Sequence, residues 1–288
     1  MESKRSYRSI QAVAGWMLAT VLLLSGCALT FGYRHADWII RWQVDHYLDL
    51  TSGQRREVTA RLHTLLSRHR TEALPQYEQF LIDLRQRVGR GLTREDLDWA
   101  YVFYDRFRAD LFERVLPDGS ALLTTVSEQQ VRHLEQKLGQ DETKAAKALT
   151  GAAEIRLGER TKKVFALAEK WLGPLSAEQA LQIRALARAL PDAEPIWWQY
   201  RRQGRQELVA LLRRPALADD LAPNLRRIFL PSDQGPPSSY RQMEKEWRAA
   251  FTILVLETDR MLTPLQRRSA MSSIQTVIDE LQGLMRGA

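Results

Sequence analysis

Five segments of the chain open in the same way. Leu50-Thr51-Ser52-Gly53-Gln54, Val126-Ser127-Glu128-Gln129-Gln130, Leu175-Ser176-Ala177-Glu178-Gln179 and Leu262-Thr263-Pro264-Leu265-Gln266 share an apolar residue, a hydroxyl and, three residues after it, a glutamine; Leu92-Thr93-Arg94-Glu95-Asp96 is a variant ending in Asp. The pattern is a capping box. The hydroxyl accepts from the amide three residues on, and the Gln or Asp side chain reaches back to the cap's own amide. Seven residues after each cap stand Val58, Ala100, Leu134, Ile183 and Ala270; eleven after, Leu62, Tyr104, Leu138, Ala187 and Ile274. All ten are apolar or aromatic, so each cap is in phase with a stripe that wants burial. Such starts belong to helices, and the chain offers no convincing run of strand alternation. The expected fold class is all-α, a multi-helix bundle or an irregular stack of helical hairpins. Caps at 51, 93, 127, 176 and 263 are too unevenly spaced for a strict solenoid.

The periodicity predicts helices over 35–49, 51–70, from Pro75 to 88, 93–116, 127–172 as one helix or two, 176–190, 195–214, 216–230, 240–262 and from 263 towards the end. Gly89-Arg90-Gly91 and Pro117-Asp118-Gly119 read as stops, and a corner is expected between Arg68 and Tyr77. Gly173-Pro174-Leu175 suggests a place where two sub-bundles meet within a helical domain spanning 35–288.

The N-terminus has a separate logic. Lys4, Arg5 and Arg8 precede a mostly apolar run from Ile10 to Leu24. About 15 apolar residues suit a secretory signal better than a membrane span. The run ends in Leu24-Ser25-Gly26-Cys27, and Cys27 is the only cysteine. This resembles the bacterial lipoprotein signal. The resemblance implies cleavage of a 1–26 signal peptide, diacylglycerol on the Cys27 sulfur and an acyl chain, such as palmitate, on its new amino group. Residues 27–34 would then be the lipidated cysteine and a short tether. With Ala28 and not Asp after the cysteine, the resemblance also implies the outer membrane, facing the periplasm. No other cofactor is expected.

Composition narrows the partners. The chain carries 42 Lys+Arg against 35 Asp+Glu, a net charge of +7. An exported, tethered protein does not normally meet nucleic acid. The available partners are the membrane itself, another envelope protein, and lipid or glycan anions. With Cys27 lipidated there is no thiol for a disulfide, a nucleophile or a thiolate metal site.

Two clusters are candidates for binding. Arg68-His69-Arg70-Thr71-Glu72-Ala73-Leu74-Pro75-Gln76-Tyr77 gathers cations, an imidazole, a carboxylate and a phenol. Arg68, His69, Arg70, Glu72 and Tyr77 could line a cleft for a polar ligand, or clamp two helix ends together, and the clamp is preferred. Trp197, Trp198, Arg201 and Arg202 pair aromatic faces with guanidinium groups, a combination that suits sugars, lipids or peptides. Trp38 and Trp42, four apart, share a helix face. That pair suits a core or a lipid interface, and a core is preferred. Asp45-His46-x-x-Asp49 offers too few ligands for a metal. No residue is expected to be catalytic: there is no Gly-x-Ser-x-Gly, no phosphate-binding glycine loop and no His-Glu-x-x-His.

The Leu-Thr-x-x-Gln starts are similar to the signature of the helical periplasmic stress proteins of the Spy and CpxP type. A broader resemblance rests on Tyr47-Leu48-x-Leu50-Thr51-x-x-Gln54, the Arg68–Tyr77 segment and the Leu262–Arg267 helix start. It looks like a family of uncharacterised proteobacterial outer-membrane lipoproteins known only as a domain of unknown function. That resemblance implies fold and location and supplies no catalytic residue. The expected role is a non-enzymatic binding, assembly or chaperone-like factor of the envelope; the alternative is a lipid- or glycan-binding protein, and a hydrolase-type enzyme ranks third.

Overall fold

A computed structural model describes residues 26–151, 153–214, 217–230 and 236–287. Residues 1–25, nearly all of the expected 1–26 signal peptide, and the side chain of Cys27 lie outside the described residues. Every element among the described residues is helical. In chain order they are α1 (Gly26–Arg34), α2 (Ala36–Leu48), α3 (Ser52–Arg68), a π turn (His69–Ala73), α4 (Leu74–Arg90), α5 (Arg94–Leu123), α6 (Glu128–Leu149), α7 (Ala153–Leu172), α8 (Ala177–Arg188), α9 (Glu194–Leu212), α10 (Leu217–Phe229), α11 (Ser238–Arg260) and α12 (Pro264–Arg286).

All five capping boxes form, at Thr51, Thr93, Ser127, Ser176 and Thr263. Four of the closing glutamines then do something that helix starts alone do not require: they pair. Gln54 Nε2 donates to the Thr125 carbonyl at 3.1 Å, and Gln130 Nε2 to the Asp49 carbonyl at 3.2 Å and to Gln54 Oε1 at 2.8 Å. Gln179 Nε2 donates to the Met261 carbonyl at 2.7 Å, Gln266 Nε2 to the Pro174 carbonyl at 2.8 Å, and each amide also donates to the other's oxygen at 2.9 Å. In both clasps each glutamine reaches the carbonyl two residues before its partner's cap. Two helix starts are thereby locked by one buried, near-symmetric device used twice, once for α3 with α6 and once for α8 with α12. The Asp variant has no such partner. Asp96 is buried and held by Arg87 and Arg90, the latter at 2.7 Å.

Burial gathers around α4 and α12. Leu74, Phe80, Leu81 and Val88 of α4 pack with Ala270, Ile274, Val277, Ile278, Leu281 and Leu284 of α12, joined by Leu29, Phe107 and Leu172. A second cluster joins α2, α3, α6 and α9 through Tyr47, Leu48, Val58, Leu62, Val131, Leu134, Val209 and Leu212. Smaller ones form around Leu116, Leu211, Leu221, Leu225 and Ile228, and around Ala187, Leu190 and Leu254. The first cluster takes residues from both sides of Gly173-Pro174. That loop is a turn with Gly173 at φ +81.

Several expected boundaries moved. Residues 28–34, read as a tether, are helical, with Leu29 buried against the α4–α12 core. The expected corner at 68–77 is a π turn inside one continuous helical run, in which the Leu74 amide bonds back five residues to the His69 carbonyl. The reason is Pro75. Its ring would clash with the carbonyl of Thr71 in a regular helix, and the wider turn relieves the clash without ending the helix. Pro117 does not end α5 either, which runs on to Leu123. Leu116, Phe112 and Leu123 pack on α9 and α10, and Asp118 is held by Arg61 at 2.8 Å, so tertiary contacts outweigh the proline's cost of about 3 kcal/mol. The 127–172 stretch is two helices, separated around Gly151.

Candidate functional site

The Arg68–Tyr77 segment becomes a closed box around His69. The π turn rotates His69 towards α1, where Tyr33 Oη lies 3.1 Å from Nδ1, while Tyr77, two helical turns on, places its hydroxyl 3.4 Å from Nε2. Tyr33 Oη also lies 3.4 Å from the Leu66 carbonyl, to which it donates. One arrangement satisfies all of these groups: the ring proton sits on Nδ1 and points to Tyr33, and Tyr77 donates to Nε2. Burial, helped by the nearby Arg114 charge and opposed by Asp110, lowers the imidazole pKa to about 4, so the ring is neutral. Burial, with Asp110 in support, pushes the Tyr77 hydroxyl up to about 12. The box is backed by aromatic rings, Tyr77 against Phe107 at 4.7 Å and Phe80 against Trp99 at 4.9 Å.

The other candidates of this segment take separate places. Arg70 stands 6.0 Å from the Tyr33 ring centre. Glu72 turns to α5 and pairs with Arg114, which also holds Asp110 at 2.7 Å. Arg68 is exposed and joins neither group. The box therefore ties α1 to the π turn, α4 and α5. Tyr33 was missed by the sequence reading because it lay in the stretch read as a tether. Asp110 and Arg114 were missed because nothing local marks them as neighbours of Glu72.

The second cluster is open in chemistry where the first is closed. Arg201 stacks over Trp197 at 3.6 Å and lies 5.9 Å from Trp198; Arg205, one turn further along α9, lies 5.6 Å from Trp198. Tyr200 meets Tyr240 of α11 at 4.3 Å, and α5 contributes Tyr104 with Arg108 beside it. Arg205 is 4% exposed, its Nη1 has no hydrogen-bond partner, and among the described residues no carboxylate forms an ion pair with it. Arg108 Nε is likewise buried without a partner. Burial first, and then the Arg205 charge, pull the Arg201 guanidinium down to about 10. Arg202 points elsewhere, 3.4 Å from Glu142 of α6. Arg205 was missed by the sequence reading, which named Arg202; its i, i+4 spacing from Arg201 is the signal that could have found it, whereas nothing local marks the contributions of α5 and α11.

A groove of about 550 Å³ runs beside the first glutamine clasp, lined by Asp49, Thr51, Gln129, Arg132, His133 and Gln136 among others. Neither predicted cluster lines it. Among the described residues, no group of three or more His, Cys, Asp or Glu side chains could hold a metal ion. No described helix is long and apolar enough to cross a membrane.

Fold and clusters together define an all-α protein built from capped, glutamine-clasped helices. Residues 46–241 match DUF6279, a family of unknown function, and the chain belongs to that family. The match spans both candidate clusters and the first clasp; α1 and α12 lie outside it. No curated protein and no solved structure matches the chain.

Proposed function

We propose that the protein is a lipid-anchored periplasmic protein of the outer membrane that binds an anionic envelope component, lipid or glycan, without doing covalent chemistry on it. Leu24-Ser-Gly-Cys27 supports the anchor, with an acylated Cys27 as the attachment. The single observation that carries the binding role is Arg205. A buried guanidinium without a carboxylate is costly. Placed one turn from Arg201, which stacks on Trp197, and beside Trp198, it favours a phosphate or carboxylate ligand, held by charge-assisted hydrogen bonds. This reading ranks above a client-holding chaperone because the cluster offers charge and hydrogen-bond donors more than apolar area.

Binding of the purified protein to vesicles containing phosphatidylglycerol, compared with pure phosphatidylcholine, tests it. Arg205→Gln is expected to weaken the phosphatidylglycerol-dependent part at least tenfold; an unchanged affinity counts against the site. Mass spectrometry of the mature N-terminus tests the anchor, which requires acyl mass on Cys27.

A further inference from the structure

The first two helices carry an aromatic row that the rest of the fold leaves bare. Phe31 is 63% exposed, Trp38 56%, Trp42 50% and Ile39 38%. His35 and His46 are exposed in the same row, with His35 stacked on Phe31 at 4.2 Å and His46 on Trp42 at 5.4 Å. Positions 31, 35, 38, 42 and 46 follow the three-and-four spacing of a single helix face. That face is continuous, because the break at His35 is slight: His35 still donates to the Phe31 carbonyl at 3.2 Å and Ile39 to the His35 carbonyl at 2.9 Å. The opposite face is fully used. Leu29 joins the α4–α12 core, Tyr33 closes on His69, and Tyr47 and Leu48 enter the second core.

An exposed apolar row of this size is usually covered by something. Its position says what. The row begins four residues after Cys27, about 6 Å of helix, and runs for about 16 Å from Phe31 to Trp42. On the anchor reading the apolar run Ile10–Leu24 is removed by cleavage, and the acyl chains on Cys27, four residues before Phe31, hold the row's start at a membrane surface. Tryptophan is the side chain most at home at the headgroup level, where an apolar ring and an N–H donor are both satisfied. Arg34 and Arg41 flank the row and suit phosphate oxygens.

We infer that α1 and α2 lie flat on the leaflet that holds the Cys27 lipid, with Phe31, Trp38, Ile39 and Trp42 in the interface and the helical body seated on the opposite face. The protein is then held at a fixed tilt to the membrane and is not a body swinging on a string. This inference rests on the anchor reading. It differs from that reading in requiring a particular face, and it does not involve the Arg205 cluster.

The test uses the mature lipidated chain in phosphatidylcholine vesicles whose acyl chains carry bromine, a quencher of tryptophan fluorescence. Flotation with the vesicles reports the anchor; quenching reports the face. Trp38→Phe/Trp42→Phe keeps the face apolar and removes its fluorophores. The wild type is expected to float and to lose at least twice as large a fraction of its emission to the brominated lipid as the double variant. Flotation with equal fractional quenching in both proteins overturns the seated face and leaves the anchor standing. Flotation with unquenched Trp38 and Trp42 and a crosslink between two copies through this row also overturns it, in favour of a dimer. Failure of the wild type to float overturns the anchor and this inference with it.

Discussion

The two candidate clusters use similar residues to opposite ends. Around His69, each polar atom of the ring meets a partner: two phenols take its two nitrogens, and Glu72 finds Arg114. Around Arg205, the Trp198 ring lies beside the cation but no carboxylate pairs with it among the described residues, and Nη1 is unpartnered. A satisfied buried network is what a fold uses to fix one packing. An unsatisfied buried cation costs stability and is understandable where a ligand completes it. On the function proposed above, the first cluster serves architecture and the second recognition, although the sequence displays the first more conspicuously.

The comparison can be broken at its largest effect by acid. The folded His69 ring takes a proton only near pH 4, while the unfolded ring does so near 6.5. Its contribution is therefore full above pH 6.5, falls as the pH drops through this window, and reaches a loss of about 3 kcal/mol below pH 4. Urea unfolding at a series of pH values should show this fall, and His69→Gln should remove most of it. A pH-independent difference between the two proteins would detach the box from stability.

His69→Ala should cost about 2–3 kcal/mol at pH 7.5, from a cavity and two orphaned phenols. Arg205→Met is the counterpart. With no ion pair to lose, it should leave the midpoint of unfolding within about 1 kcal/mol of wild type, or raise it, while phosphatidylglycerol-dependent binding falls at least tenfold. A loss of stability as large as that of His69→Ala would show that the two clusters do the same job. At the smallest end, Glu72→Gln removes a half-exposed ion pair and should cost under about 1 kcal/mol, measured by the same melts.

How much of this could be read from residues alone follows from the range of the forces involved. The five capping boxes are made within four residues, so the helix starts at Thr51, Thr93, Ser127, Ser176 and Thr263 were legible, and with them the all-α class. The in-phase stripes were legible too: Val58, Leu62, Leu134, Ile183, Ala187, Ala270 and Ile274 are all buried. Proline misled at two places: the π turn accommodates Pro75 without ending the helix, and neighbouring packing overrode Pro117. Trp38 and Trp42 were assigned to a core and are exposed, because periodicity states that a face exists and does not state which face of an amphipathic pair meets the body. Of the nine candidate residues, His69 and Tyr77 lie together, as do Trp197, Trp198 and Arg201. Arg68 and Arg202 did not join them, since long side chains choose partners across helices and not along them.

The sequence by itself therefore determined where helices begin, which stripes they bury and that the class is all-α, since capping and periodicity act within a turn or two of the chain. Only the tertiary structure decided that Gln54 pairs with Gln130 and Gln179 with Gln266, that Tyr33 seals His69, that Arg205 is buried without an ion-paired acid among the described residues, and that the aromatic row beside Cys27 is exposed. Those four outcomes depend on contacts between residues that the chain separates by 36 positions or more, or on contacts that no other element makes, and no local rule encodes either.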